Sequence, residues 1–167
     1  MRPEAFERLY AAHAEQLVKF LLYRTGDHAL AEDLAADAFE RAMTARRPLD
    51  HRRGSEKAWL YTIALNLLRD HYRRHAAEQR ASERTAAEGG HGDEHFPADH
   101  IELRDQVSRA LALLNADERE AVALRYGADL SVAEIARITR EKAATVEKRL
   151  YRALIKLREH LHTARTG

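Results

Sequence analysis

The sequence predicts an all-α fold of two small helical domains, a three-helix domain and a helix-turn-helix domain, joined by a flexible linker. Three observations carry this. Across 167 residues there are only 7 glycines and 3 prolines, with 45% apolar and 33% charged residues, a balance that favours helices linked by short turns. Apolar residues recur at helical spacing in both halves of the chain. Between them, over 76–99, the only large apolar residue is Phe96, and Gly89, Gly90, Gly92 and Pro97 punctuate the stretch. Such a segment buries too little apolar surface to offset its ordering entropy. The length excludes a large catalytic barrel, which needs about 250 residues. The absence of cysteine excludes disulfides, thiolate metal sites and cysteine nucleophiles. No run approaches the roughly 18 apolar residues of a membrane span, and none has the form of a signal peptide.

The first helix is carried by Phe6, Leu9, Tyr10, Leu17, Phe20 and Leu21 and stops at Gly26. Asp27 caps the second, in which Ala31, Leu34, Ala35, Ala38, Phe39, Ala42 and Met43 point inward and Glu32, Asp33, Asp37 and Glu40 outward. A basic loop over 46–54 holds Arg46, Arg47, Arg52 and Arg53 against a single Asp50. Ser55 then caps a third helix running to about His75, with the early linker as a fraying extension. Its apolar side uses Leu60, Ile63, Ala64, Leu67, Leu68 and Tyr72, while Thr62, Asn66, Arg69 and Arg73 share another face. Trp59 lies one turn before Thr62. It either stacks an unpaired base or belongs to the core.

In the second half, a helix through Val107, Leu111 and Leu114 comes first. Asp117 with Glu120 has capping-box spacing for a short helix over 118–126 ended by Gly127, and Ser131 with Glu134 repeats the signature. A longer helix starts near Lys142, with Val146, Leu150, Ala153, Leu157 and Leu161 on one side and Lys142, Thr145, Lys148, Arg149, Arg152 and Lys156 opposite. A short capped helix, a tight turn and a long basic helix make the plan of a helix-turn-helix. Helix-dipole complementation explains Lys156 and Arg158 but not cations early in the helix, which point to DNA.

Charge resolves along the chain in the same way. The net charge of +1 argues against a nucleic-acid partner only as a total. It divides into +2 over 1–75, −5 over 76–105 and +4 over 106–167, and the stretch 140–158 alone carries +5.

The motifs Ala31-Glu32-Asp33-Leu34 with Ala38-Phe39, then Trp59-Leu60-Tyr61-Thr62-Ile63-Ala64-Leu65-Asn66 with Arg69-Asp70 and Arg73-Arg74, resemble region 2 of the extracytoplasmic-function (ECF) sigma factors of bacterial RNA polymerase. Leu130-Ser131, Glu134-Ile135-Ala136, Thr145-Val146, Arg149-Leu150 and Arg152-Ala153-Leu154, with the stretch 114–125, resemble region 4 of the same family. The resemblance implies region 2 over 1–75, an acidic flexible linker over 76–100, and region 4 over 101–167. It further implies that Glu32, Asp33, Asp37 and Glu40 dock the beta-prime clamp helices of core RNA polymerase, Asp33 alternatively serving local capping, and that the beta flap is a second contact. Arg52, Arg53, Asn66, Arg69 and Arg73 would meet the minus 10 element as it melts, with Trp59 a core residue that positions the helix. Arg140, Lys142, Thr145, Lys148, Arg149 and Arg152 would meet the minus 35 element. An inhibitory anti-sigma protein is the family's usual partner. A cytoplasmic protein is implied, with no enzymatic activity, cofactor, metal or membrane insertion.

Two positions depart from the family pattern. Asn115 stands where proline is usual, leaving Asp117 to cap the helix that follows. Arg140 stands where glycine is usual, which demands positive φ from a non-glycine residue or shifts the turn. Two other readings compete: a two-domain regulator that never binds polymerase, and a metal protein using His71 and His75 at i and i+4 together with His91, His95 and His100.

Overall fold

A computed structural model describes residues 1–45, 54–83 and 109–166. The chain divides into two compact units, Met1–His95 and Phe96–Gly167. Among the described residues all regular structure is helical.

In the first unit, α1 spans Pro3–Thr25, α2 His28–Thr44 and α3 Glu56–Glu83. Pro3 sits in the first turn of α1, where its missing N–H is harmless. Gly26 closes the helix in the left-handed region, φ 65°, donating its N–H to the Leu22 carbonyl. The Asp27 carboxylate caps α2 by accepting from the Leu30 N–H at 3.1 Å. Ser55 Oγ accepts from the Ala58 N–H at the start of α3. Leu9, Leu17, Phe20 and Leu21 of α1 form the core with Ala31, Leu34, Ala38 and Phe39 of α2 and Leu60, Tyr61, Ala64, Leu65 and Leu68 of α3. Each fully buried leucine contributes about 1.5–3 kcal/mol.

Several residues depart from their expected places. Tyr10 and Met43, assigned inward, are 52% and 46% exposed at the margin of the stripe; Tyr10 lies against Phe39 with ring centroids 4.8 Å apart. Tyr72 is also exposed, its hydroxyl donating to the Arg24 carbonyl across to the end of α1. Tyr61 and Leu65, absent from the expected apolar face, are buried, so that face is wider than a single row. α3 continues past His75 to Glu83, where the early linker is expected as a helical extension. Burial pushes the Tyr61 phenol up in pKa, and its hydroxyl has no protein partner among the described residues. Tyr61→Phe removes that unpaired group while keeping the ring against Phe20, and is expected to raise stability by about 1 kcal/mol, read as a higher denaturation midpoint at unchanged m-value.

In the second unit, residues 109–112 are helical, with Ala110, Leu111 and Leu114 buried. Then come α4 (Ala116–Val122), extended by a π turn over Ala123–Gly127, α5 (Val132–Thr139) and α6 (Ala143–Thr166). The N-cap of α4 is Asn115, not Asp117. Its side chain accepts from the Glu118 N–H at 2.8 Å, and the Glu118 carboxylate accepts from the Asn115 N–H at 3.1 Å. The departure from proline therefore supplies the capping box itself. The box at Ser131 and Glu134 forms as expected. The π turn closes when the Ala128 N–H donates to the Ala123 carbonyl at 2.9 Å, and Asp129 follows at φ 53°. The Arg125 guanidinium donates to the Leu130 carbonyl at 3.2 Å, tying this bend to α5. Leu114, Leu124, Leu130, Ile135, Ile138, Val146, Leu150 and Ala153 make the core, whereas Leu161 is 42% exposed beyond its end.

Candidate nucleic-acid and polymerase interfaces

α5, a short turn and α6 make the helix-turn-helix of the second unit. The turn pivots on Arg140, which adopts φ 58° and ψ 37°. The Glu141 N–H donates back to the Ala136 carbonyl at 2.9 Å, the closure of a Schellman motif, in which a left-handed residue is required at the cap. Arginine thus occupies the left-handed conformation without shifting the turn, at the steric expense its Cβ imposes. Arg140→Gly relieves this and is expected to stabilise the unit by about 0.5–1 kcal/mol, raising its Tm by several degrees in a thermal melt.

Lys142 precedes α6, its carbonyl accepting from the Thr145 and Val146 N–H groups. Arg140, Lys142, Thr145, Lys148 and Arg152 are all exposed. Tyr151 is 67% exposed, one turn after Lys148 and next to Arg152. It belongs to neither the apolar row nor the basic row that the spacing of α6 defines, so the sequence leaves it unassigned.

Two cations of α6 are differently placed. The Lys156 ammonium donates to both carboxylate oxygens of Glu118, at 2.9 and 2.8 Å. Glu118 is 4% exposed. Burial opposes its ionisation but is outweighed by the Lys156 hydrogen bond, the Asn115 N–H and the charges of Lys156 and Arg152, so its pKa lies below the usual carboxylate value. Arg149 makes a two-pronged pair with Glu141, at 2.5 and 2.7 Å, with Asp117 4.0 Å away.

In the first unit, Glu32, Asp33, Asp37 and Glu40 are exposed along one side of α2, with His28 Nδ1 3.5 Å from Glu32. On α3, Asn66 is exposed and Arg69 partly buried. Arg73 is exposed and donates to Asp70 at 2.6 Å. Thr62, placed on the polar stripe by its spacing, is partly buried and donates to the Ala58 carbonyl. Trp59 is partly buried. Arg52 and Arg53 lie outside the described residues, as do His91, His95 and His100. The rings of His71 and His75 are 6.3 Å apart, and among the described residues no group of three or more metal-ligating side chains comes together. No helix of the described residues is long and apolar enough to cross a membrane.

Residues 9–78 match the family Sigma-70 region 2, and residues 104–157 match Sigma-70, region 4. The chain is 33% identical to the ECF RNA polymerase sigma factor BldN of Streptomyces coelicolor over 90% of its own length, and spans 58% of BldN. It is 30% identical to the ECF RNA polymerase sigma factor SigL of Mycobacterium tuberculosis, across 90% of this chain and 85% of SigL. Among solved structures it is similar to the sigma factor RpoE of Bartonella quintana, in complex with the anti-sigma factor NepR, with a TM-score of 0.73, 26% identity and coverage of 95% of this chain and 98% of that one. With both sigma regions present in order, and the relationship to SigL running through most of both proteins, the chain belongs to the ECF family of RNA polymerase sigma factors.

Proposed function

We propose that this chain joins core RNA polymerase and directs it to promoters, with α6 reading the minus 35 element as duplex and α3, together with the preceding basic loop, engaging the minus 10 element as it opens. The observation that carries the reading is the exposed row Arg140, Lys142, Thr145, Lys148 and Arg152 at the turn and first turns of the second helix of a helix-turn-helix. Lys142 sits against the dipole at the start of α6, and Lys148 and Arg152 lie beyond the reach of either helix end, so the dipole accounts for none of the three, and a phosphate backbone does. Base edges are met from the same part of such a helix.

Region 2 functions extend over 1–75, the acidic linker over 76–100 and region 4 over 101–167. Asn66, Arg69 and Arg73, with Arg52 and Arg53, serve the opened strand; unstacking costs a few kcal/mol per step, which strand capture offsets. Glu32, Asp33, Asp37 and Glu40 give α2 an acidic face complementary to a basic surface on the beta-prime clamp helices, and the second unit meets the beta flap. The protein works in the cytoplasm, without catalytic residues or a cofactor of its own. RpoE's capture with NepR supports an anti-sigma protein as its inhibitor.

Reconstitution tests the reading. Added to core polymerase with a random-sequence promoter pool, the chain is expected to yield initiation from one recurrent pair of promoter elements. A helix-turn-helix regulator that acts without polymerase would leave core initiation unselective.

A further inference from the structure

Arg149 is one of the cations of α6 expected to meet DNA, yet its guanidinium is directed into the protein. Its side chain is 18% exposed, and Nη1 and Nη2 donate to the two oxygens of Glu141 at 2.5 and 2.7 Å. Glu141 belongs to the turn, between left-handed Arg140 and the Lys142 that opens α6, and its side chain is 29% exposed. The carboxylate of Asp117, in the first turn of α4, stands 4.0 Å from Nη2. Side chains on a helix lean toward its N-terminus, so Arg149 reaches back along α6 to the turn. One guanidinium thereby joins the turn, α6 and the start of α4. The Glu141 hydrogen bond, with the charges of Glu141, Asp117 and Glu120, raises its pKa despite partial burial.

We infer that Arg149 is a positioning residue, fixing the start of α6 relative to the turn and α4 through Glu141, and is not among the DNA contacts. The inference rests on α6 being the DNA-reading helix. A planar fork that spends two donors on one carboxylate cannot also present them to a phosphate without leaving Glu141 unpaired beside the polyanion. Its charge is already matched, so it displaces no counterion on binding. Arg140, Lys142, Lys148 and Arg152 supply that term.

Salt dependence separates the two roles. The full chain and its variants are titrated with a short fluorescent mixed-sequence duplex between about 50 and 200 mM salt. A phosphate-contacting cation lowers the slope of log K against log salt by about 0.9 when removed, and Lys148→Ala is expected to do so. Arg149→Gln is expected to weaken binding about tenfold at unchanged slope, with Glu141→Gln giving a similar loss and the double variant no worse than either alone. A slope lowered by about 0.9 in Arg149→Gln, or unchanged or tighter binding by Glu141→Gln, overturns the inference. If Arg149→Gln loses its helical circular dichroism, Arg149→Lys replaces it. Lysine keeps the charge without the fork, so affinity falls at constant slope if Arg149 positions the helix, and stays intact if Arg149 meets phosphate as a point charge. Should Lys148→Ala leave the slope untouched, the DNA reading of α6 is what fails.

Discussion

The double variant Lys148→Ala/Arg152→Ala loses about 100-fold in holoenzyme affinity for the promoter it selects, and its salt slope falls by about 2. Both side chains are exposed on α6, one turn apart. If each makes a contact worth about 1–2 kcal/mol, at 1.4 kcal/mol per tenfold the pair accounts for roughly two orders of magnitude. The unit keeps its fold, because Val146, Leu150 and Ala153 on the opposite side hold α6 in the core. Filter binding of holoenzyme with a gel assay for core association checks both halves of this expectation. Promoter affinity within threefold of the parent chain would remove α6 from the recognition surface.

Asp37→Lys/Glu40→Lys weakens association with core polymerase by at least about tenfold, mostly through the on-rate, and the loss shrinks as salt rises. Both carboxylates are exposed on α2, outside the packed row Leu34, Ala35, Ala38 and Phe39. Both positions lie beyond the first turn of the helix, so the new cations do not oppose its dipole and the fold is expected to hold. A fluorescence competition assay against the parent chain measures the effect. Equal competition would refute docking through this face, whereas lost thermal stability in the variant would contradict the exposed setting of both residues.

The legible parts of the fold were those set by short-range chemistry. Asp27, Ser55 and the Ser131–Glu134 pair announced their helix starts, because a capping side chain bonds a backbone group within three residues. Asn115 was misread for a related reason: Asn115–Glu118 and Asp117–Glu120 share the same spacing, and only the backbone at Asn115, φ −71° and ψ 169°, decides between them. The end of α3 was obscured because apolar periodicity stops near Tyr72 while residues of high helix propensity continue the helix to Glu83. Tyr10 and Met43 lie at the edge of their stripes, where spacing cannot separate covered from uncovered. The π turn has no compositional mark in Ala123-Leu124-Arg125-Tyr126-Gly127. On α6 the sequence displays a row of cations but not their partners. Glu141 is eight positions from Arg149 and Glu118 thirty-eight from Lys156, beyond any single-helix rule. At Arg140 the sequence leaves two outcomes open, positive φ or a shifted turn, and the backbone at φ 58° decides for the first.

The length of α3 has a dynamic consequence. At 28 residues it runs about 42 Å, but its buried residues end at Leu68. Amides of the packed stretch from Leu60 to Leu68 are expected to exchange mainly when the three-helix core opens as a whole. Those beyond Tyr72 have no fully buried side chain among the described residues and are expected to exchange through local openings of small free energy. An isolated helical segment this short is marginal in water, so the distal turns persist chiefly because the anchored half supplies their nucleus. One uninterrupted helix therefore spans a gradient from rigid to readily melted, and a partner gripping Arg73 or Arg74 would encounter the soft end of a preformed rod.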